Sequence, residues 1–376
     1  MSNLIIGAGF TGMAAGIKTG WPIYEATDRA GGICKSYQKD GYHFSVGGGH
    51  WLFGEGKGLD YISSQVDLNK YERRASVFVN KFFDYPIQTY VKKPCMAHPD
   101  TLKHWLIQSF GPELFNMFHG PFNEKYTAGM YETVVQTDQY KSPAPGGKGF
   151  CSNFYDPVGG LDVLVEKMSA QCDITYNMRT HGIDVEKKLI FFDVKENPPG
   201  TTFLPYDKII STIPLNQMLR MCGKRVYLPY TSALVINIGA TPGKLCPTDH
   251  WIYVPFCKSG FYRVGFYSNV SADKAPDGKV SLSVEMAFLP EHKPNEEQLE
   301  QICFEVVNEL QEWGWIGEVD VVDPTWCQVA YTWLYKKDDA IKEIEWLKSK
   351  GIVSTGRYGA WRFQGMKESI EMGFAV

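Results

Sequence analysis

Six residues, Gly7-Ala8-Gly9-Phe10-Thr11-Gly12, constrain this chain more than any other stretch. They follow "NLII", an apolar run that reads as a short buried strand, and open "FTGMAAGIKTG", a helix of small residues ending at Gly20. "PIYEA" then predicts a second strand, which makes a tight β-α-β unit. In the spacing G-x-G-x-x-G, Gly7 allows the sharp turn and Gly9 lets a pyrophosphate approach the backbone. Gly12 lets helix and strand pack closely, and the first helical amides then face the phosphates. Glu25 ends the second strand thirteen residues past Gly12, where a carboxylate reaches a ribose. The usual spacing is about 20, so the intervening helix must be short.

Composition narrows the partners. The 376 residues are 44% hydrophobic and 21% charged, with net charge −4, an ordinary globular balance. That charge lends nucleic-acid binding no support, since basic patches are its usual sign; it leaves open a nucleotide or base held by a local site. No run of about 18 apolar residues occurs, so no membrane helix is expected, nor does "MSNLIIGAGF" read as a signal peptide. Nine cysteines without a CxxC pair argue against a metal site or a disulfide framework and for a reducing compartment, the cytoplasm by default.

Further motifs extend the first. Glu25-Ala26-Thr27-Asp28-Arg29-Ala30-Gly31-Gly32 has the form ExxxRxGG, and "GGGHWLF" follows at 47–53. Together with GxGxxG these resemble the FAD-binding fold of the amine oxidase, protoporphyrinogen oxidase and UDP-galactopyranose mutase group. "NFYDPVGGLDVLVEKM" (153–168), "YDKIISTIPLNQM" (206–218) and "STGRYGAWRFQGMKESIEMG" (354–373) resemble later segments of that group, in its order. The resemblance implies noncovalent FAD, with Glu25 and Ala26 at the adenosine ribose and Arg29 near the phosphates. Gly7, Gly9, Phe10, Thr11, Gly12, Gly31 and Gly32 would complete that end of the cofactor. Gly48, Gly49, His50, Gly356, Arg357, Phe363, Gly365 and Met366 would meet its remainder, the last at a helix N-terminus aimed at the ring.

For chemistry the candidates are His50, Arg263 and Tyr253, with Tyr126 behind them. His50 either serves the flavin, by hydrogen bond or proton transfer, or is a structural ring bonded to backbone. Arg263, in "FYRVGFYSN", resembles an arginine that reaches the mutase active site and suits an anionic group; the alternative is a surface salt bridge on an edge strand. Departures from the mutase pattern are plain. Trp361 and Phe363 stand where it has two tyrosines, and "AGMYE" replaces its lysine-glutamine-tryptophan. The leading expectation is an FAD-dependent oxidoreductase taking hydride from a carbon beside nitrogen, or from a ring carbon, to flavin N5. The alternatives are a mutase-like, redox-neutral enzyme on a nucleotide-linked substrate, a base-modifying flavoenzyme, and a non-catalytic FAD-binding subunit.

No Pro/Ser-rich linker interrupts the chain, which predicts interleaved domains: an α/β, Rossmann-like FAD domain (1–60, 150–225, 345–376) and an α+β substrate domain (61–149, 226–344) with a helical insertion. "NEEQLEQICFEVVNELQEWGW" reads as an amphipathic helix capped by Asn295, with Leu299, Ile302, Val306 and Leu310 on one face.

Overall fold

The computed structural model describes residues 2–87, 100–135, 152–194 and 200–376. The chain opens with strand β1 (Ser2–Ile6), helix α1 (Phe10–Thr19) and strand β2 (Ile23–Tyr24). Alternate residues of β1 point to opposite faces, and Leu4, Ile5 and Ile6 are all buried, so both faces of this sheet are covered, as parallel sheets require. α1 lies close because its inner face is nearly bare of side chains. A Cβ at Gly16 would sit 2.7 Å from Ile23 Cδ1. The helix ends at Gly20, in the left-handed conformation that favours glycine.

The first sheet runs Ile174–Thr175, β2, β1, Gly200–Ser211, Leu189–Val194, Met178–Asp184, with Ile352–Ser354 also paired to Gly200–Ser211. β1, β2, Ile174–Thr175, Ile352–Ser354 and the end of Gly200–Ser211 are parallel. The start of Gly200–Ser211 instead joins an antiparallel meander. The last helix, Met366–Phe374, crosses α1 at its small residues; a Cβ at Gly373 would lie 2.3 Å from Thr11 O.

The second sheet has seven strands, ordered Ile316–Thr332, Tyr230–Pro242, Val280–Phe288, Arg263–Phe266, Trp251–Tyr253, Ala75–Phe78, Phe82–Asp84. One face carries Leu234, Ile236, Ile238, Leu282 and Val284 against Val306 and Leu310 of the helix Glu296–Glu312. That helix has the expected Asn295 cap, completed as a capping box by Gln298. Val235, Asn237, Ser283 and Glu285 alternate onto the other face. Helices Leu102–Leu114 and Gly120–Tyr126 pack an aromatic cluster on Trp251 and Tyr253.

Two elements differ from expectation. "PIYEA" shortens to two strand residues, although Glu25 N still donates to Thr175 O at 2.9 Å. The seventeen-residue strand Ile316–Thr332 was not legible, because Pro324 and its acidic residues spoil the apolar alternation. Its edge position accounts for both, since an edge strand tolerates proline and charge.

Candidate active site

The turn after β1 is held by close approach. Gly7 has φ +94°, and a Cβ at Gly12 would lie 1.8 Å from Gly7 O. Gly9 is the opposite case: a Cβ built there meets nothing within 4 Å, because it faces a cavity of about 340 Å³. α1 has no side-chain cap at Gly9, so its first amides rely on water or a ligand. Gly32 sits 3.6 Å from Gly9 Cα, measured from its own would-be Cβ, and joins Gly9, Phe10, Thr11 and Gly31 in the cavity wall.

Three predicted residues stand back from that wall. Glu25 accepts from Ala8 N (2.8 Å), Thr27 N (2.9 Å) and Thr27 Oγ1 (2.8 Å), which braces the turn. Ala26 follows it and does not line the cavity. Arg29 is half exposed, donates to Ser36 O at 2.7 Å and lies 3.5 Å from Asp162. Gly7, Gly12, Gly48 and Gly356 are likewise behind the lining; Gly356 has φ +80° and packs on Thr11.

"GGGHWLF" needs its glycines for space. A Cβ at Gly47 would lie 2.9 Å from Ile33 O, one at Gly48 2.7 Å from Glu285 Oε1, and one at Gly49 2.4 Å from the Trp51 ring. Gly47, Gly49 and His50 line the cavity. His50 Nδ1 lies 2.9 Å from Gly48 O. A carbonyl only accepts, so in the neutral ring Nδ1 carries the hydrogen and Nε2 keeps a lone pair. Burial pushes the imidazole down to about 4, against the opposing effect of the Gly48 bond.

Arg263 belongs to an interior strand and is largely shielded from solvent, so the edge-strand surface bridge does not apply. Val235, Glu285, Arg263 and Tyr253 form one row across four neighbouring strands. Arg263 Nε donates to Glu285 Oε1 at 2.8 Å and its Nη2 contacts the same oxygen. Tyr262 Oη donates to Glu285 Oε2 at 3.0 Å. The two charged side chains are only 12% and 4% exposed. Burial opposes the guanidinium charge most strongly, but Glu285 together with Tyr331, Tyr253 and Tyr262 holds it well above its ordinary range. Tyr253, Arg263 and Glu285 all line the cavity.

Arg357 is the second cation there. Its Nη1 and Nη2 donate to Gln364 O (3.0 Å) and Ala330 O (3.2 Å). Its guanidinium sits 4.7 Å from the Phe363 ring centre and 5.3 Å from that of Tyr331. Among the described residues no carboxylate forms an ion pair with it. Phe363, Gly365 and Met366 share the wall with it.

Several lining residues escaped the sequence reading, among them Glu285, Tyr331, Tyr358 and Trp251. Glu285 alone left a signal, as the one charged residue in "VSLSVEMAF". Trp361 is buried outside the cavity, donating Nε1–H to Trp333 O at 2.9 Å. Tyr331 and Tyr358 line the cavity from other positions, together with Phe363. Tyr126 lies behind, edge-on to Tyr331 at 4.5 Å between ring centres.

A pH dependence follows from three histidines. Burial pushes His50, His119 and His250 down to about 4, about 3 and about 4, whereas an unfolded histidine titrates near ~6.5. Between those values the unfolded chain binds more protons, so stability falls as pH drops below ~6.5 and keeps falling towards ~4. Urea midpoints measured across that range will show this slope, and His50→Gln will make it shallower.

The fold is one shared with solved structures of UDP-galactopyranose mutase, a putative protoporphyrinogen oxidase and putrescine oxidase. No family model matches the chain. Among solved structures it is similar to reduced UDP-galactopyranose mutase, at 22% identity and TM-score 0.86, over 99% of this chain and 92% of that one. It is similar to a putative protoporphyrinogen oxidase from Exiguobacterium sp. 255-15, at 15% identity and TM-score 0.71, over 99% and 97%. Putrescine oxidase bound to putrescine follows at 14% identity and TM-score 0.63, over 100% and 97%. At these identities the likeness is one of fold. Among the described residues no helix is long and apolar enough to cross a membrane.

Proposed function

We propose that this chain is a flavoenzyme that binds FAD noncovalently and acts, without net oxidation, on an anionic small molecule of the nucleotide-linked kind. The residues present suit the cofactor. Gly9 leaves open space beside uncapped helical amides, which suits a pyrophosphate, and the cavity continues from there to His50, Arg357 and Met366. FAD would supply an electron-pair carrier at its ring. The domain division at 1–60, 150–225 and 345–376 is part of the same proposal.

One observation carries the substrate class. Arg263 and Arg357 both line the cavity, and Glu285 compensates only the first. Such a wall favours an anion, and among the described residues its two carboxylates, Glu285 and Glu368, are already paired with Arg263 and Lys367. Tyr253, Tyr331 and Tyr358 add hydroxyls that orient a polar ligand. His50 holds a lone pair at Nε2 that can take a proton or accept a hydrogen bond. Hydride transfer from a carbon beside nitrogen is the second reading, favoured by Trp361 and Phe363 replacing the mutase's tyrosines.

Purified protein loaded with FAD will be yellow. Its activity on sugar nucleotides will require prior reduction by dithionite without consuming reductant. Bleaching by an amine followed by recovery in air would favour the second reading, and failure to take up FAD would sink both. His50→Ala will keep its colour and lose about 10²–10⁴ in turnover, the usual worth of a proton-transfer group; full activity would make His50 structural.

A further inference from the structure

Lys125 and Cys257 meet on the far side of the aromatic cluster. Lys125 lies in the last turn of the helix Gly120–Tyr126, and Cys257 lies in the loop between strands Trp251–Tyr253 and Arg263–Phe266. Lys125 Nζ is 3.1 Å from Cys257 Sγ, and it also donates to Val254 O (3.1 Å) and Phe261 O (2.8 Å). The thiol donates to Phe261 O at 3.1 Å. Both groups are therefore pinned on the same carbonyl with nitrogen and sulfur in contact. Cys172, Cys246 and Cys327 also point at carbonyls, but only Cys257 of these has a lysine amine against its sulfur.

We propose that this pair is a site of covalent modification, where oxidation links Lys125 to Cys257 through a single oxygen as an N–O–S bridge. The co-reactant is dioxygen. The lysine ammonium first releases a proton to solvent. One N–H bond and the S–H bond then break, N–O and O–S bonds form, and the second oxygen atom leaves with the two hydrogens as water. Dioxygen takes up four electrons, two from nitrogen and two from sulfur. Burial prepares the amine, since desolvation holds Lys125 below its ordinary range and so favours the neutral, nucleophilic form. Access is open: Cys257 is partly exposed and its neighbours Phe256 and Lys258 are exposed. A small oxidant therefore reaches a sulfur whose oxidised form has an amine waiting beside it.

The bridge would staple the helical insertion to the loop that leads into Tyr262 and Arg263. Tyr126, next to Lys125, packs on Tyr262 at 5.5 Å and on Tyr331 at 4.5 Å between ring centres. Cross-linking thus fixes one wall of the cavity. That consequence rests on the functional reading above, but the bridge itself does not.

The test is mass spectrometry of the full-length protein, reduced or exposed to air and dilute hydrogen peroxide, with FAD content recorded in parallel. The expected product is a linked peptide pair containing Lys125 and Cys257, heavier than the two peptides by one oxygen less two hydrogens. Dithiothreitol will reverse it. Lys125→Arg and Cys257→Ser will both lack the species, and only the wild type will gain thermal stability on oxidation, as a cross-link requires. Oxidation of Cys257 to sulfinic acid with Lys125 unmodified would overturn the proposal. So would a stability gain that persists in Lys125→Arg. Protein that binds no FAD yet forms the bridge would refute the flavoenzyme reading and leave this one standing.

Discussion

Gly9→Val will purify as a folded protein that retains no FAD. A Cβ at Gly9 meets no protein atom within 4 Å beyond its chain neighbours, so a side chain there starts into open space in the apoprotein. Its methyl groups occupy the space through which a pyrophosphate approaches the first amides of α1. Overpacking of about 3 kcal/mol corresponds to an affinity loss on the order of 100-fold, enough to strip the cofactor on a sizing column. Gly12→Val is the contrasting variant. Its Cβ would lie 1.8 Å from Gly7 O, so that chain will misfold as well as lose colour. Flavin absorbance after gel filtration, set beside circular dichroism, separates the two. A yellow Gly9→Val protein would remove the phosphate site from this turn.

Glu285→Ala will be among the most destabilising single substitutions in the chain. It leaves Arg263 buried without its carboxylate and removes the acceptor of the Tyr262 hydroxyl. Breaking a buried pair on one side costs about 3–5 kcal/mol, read as a lowered urea midpoint. Removing both charges, with Arg263→Met and Glu285→Met together, will recover much of that loss. Pyrophosphate added to Glu285→Ala will raise its midpoint, because the freed guanidinium then takes its anion from solution. Independent, additive effects of the two substitutions would show that the pair is not coupled.

Much of the fold was legible because it rests on local rules. The Gly7–Gly12 turn, the helix ending at Gly20 and the Asn295 cap each follow from a few adjacent residues whose backbone has little choice. Stretches governed by partners were less clear. Ile316–Thr332 is a strand because Tyr230–Pro242 supplies its hydrogen bonds, and nothing in its own composition announces that.

The site divides the same way. Sequence alone determined that a glycine turn, a second glycine pair and a histidine loop exist, since each depends on spacing along the chain. Only the tertiary structure decided which side chains share the cavity. It brought Glu285 to Arg263 across adjacent strands, left Arg357 with no carboxylate ion pair among the described residues, and placed Tyr331 and Tyr358 in the cavity wall. It also set Glu25 to brace the turn through Ala8 and Thr27, and Arg29 on Ser36 and Asp162. The physical reason is that charge compensation and burial are set by neighbours tens or hundreds of residues away, which strand pairing brings within hydrogen-bond reach.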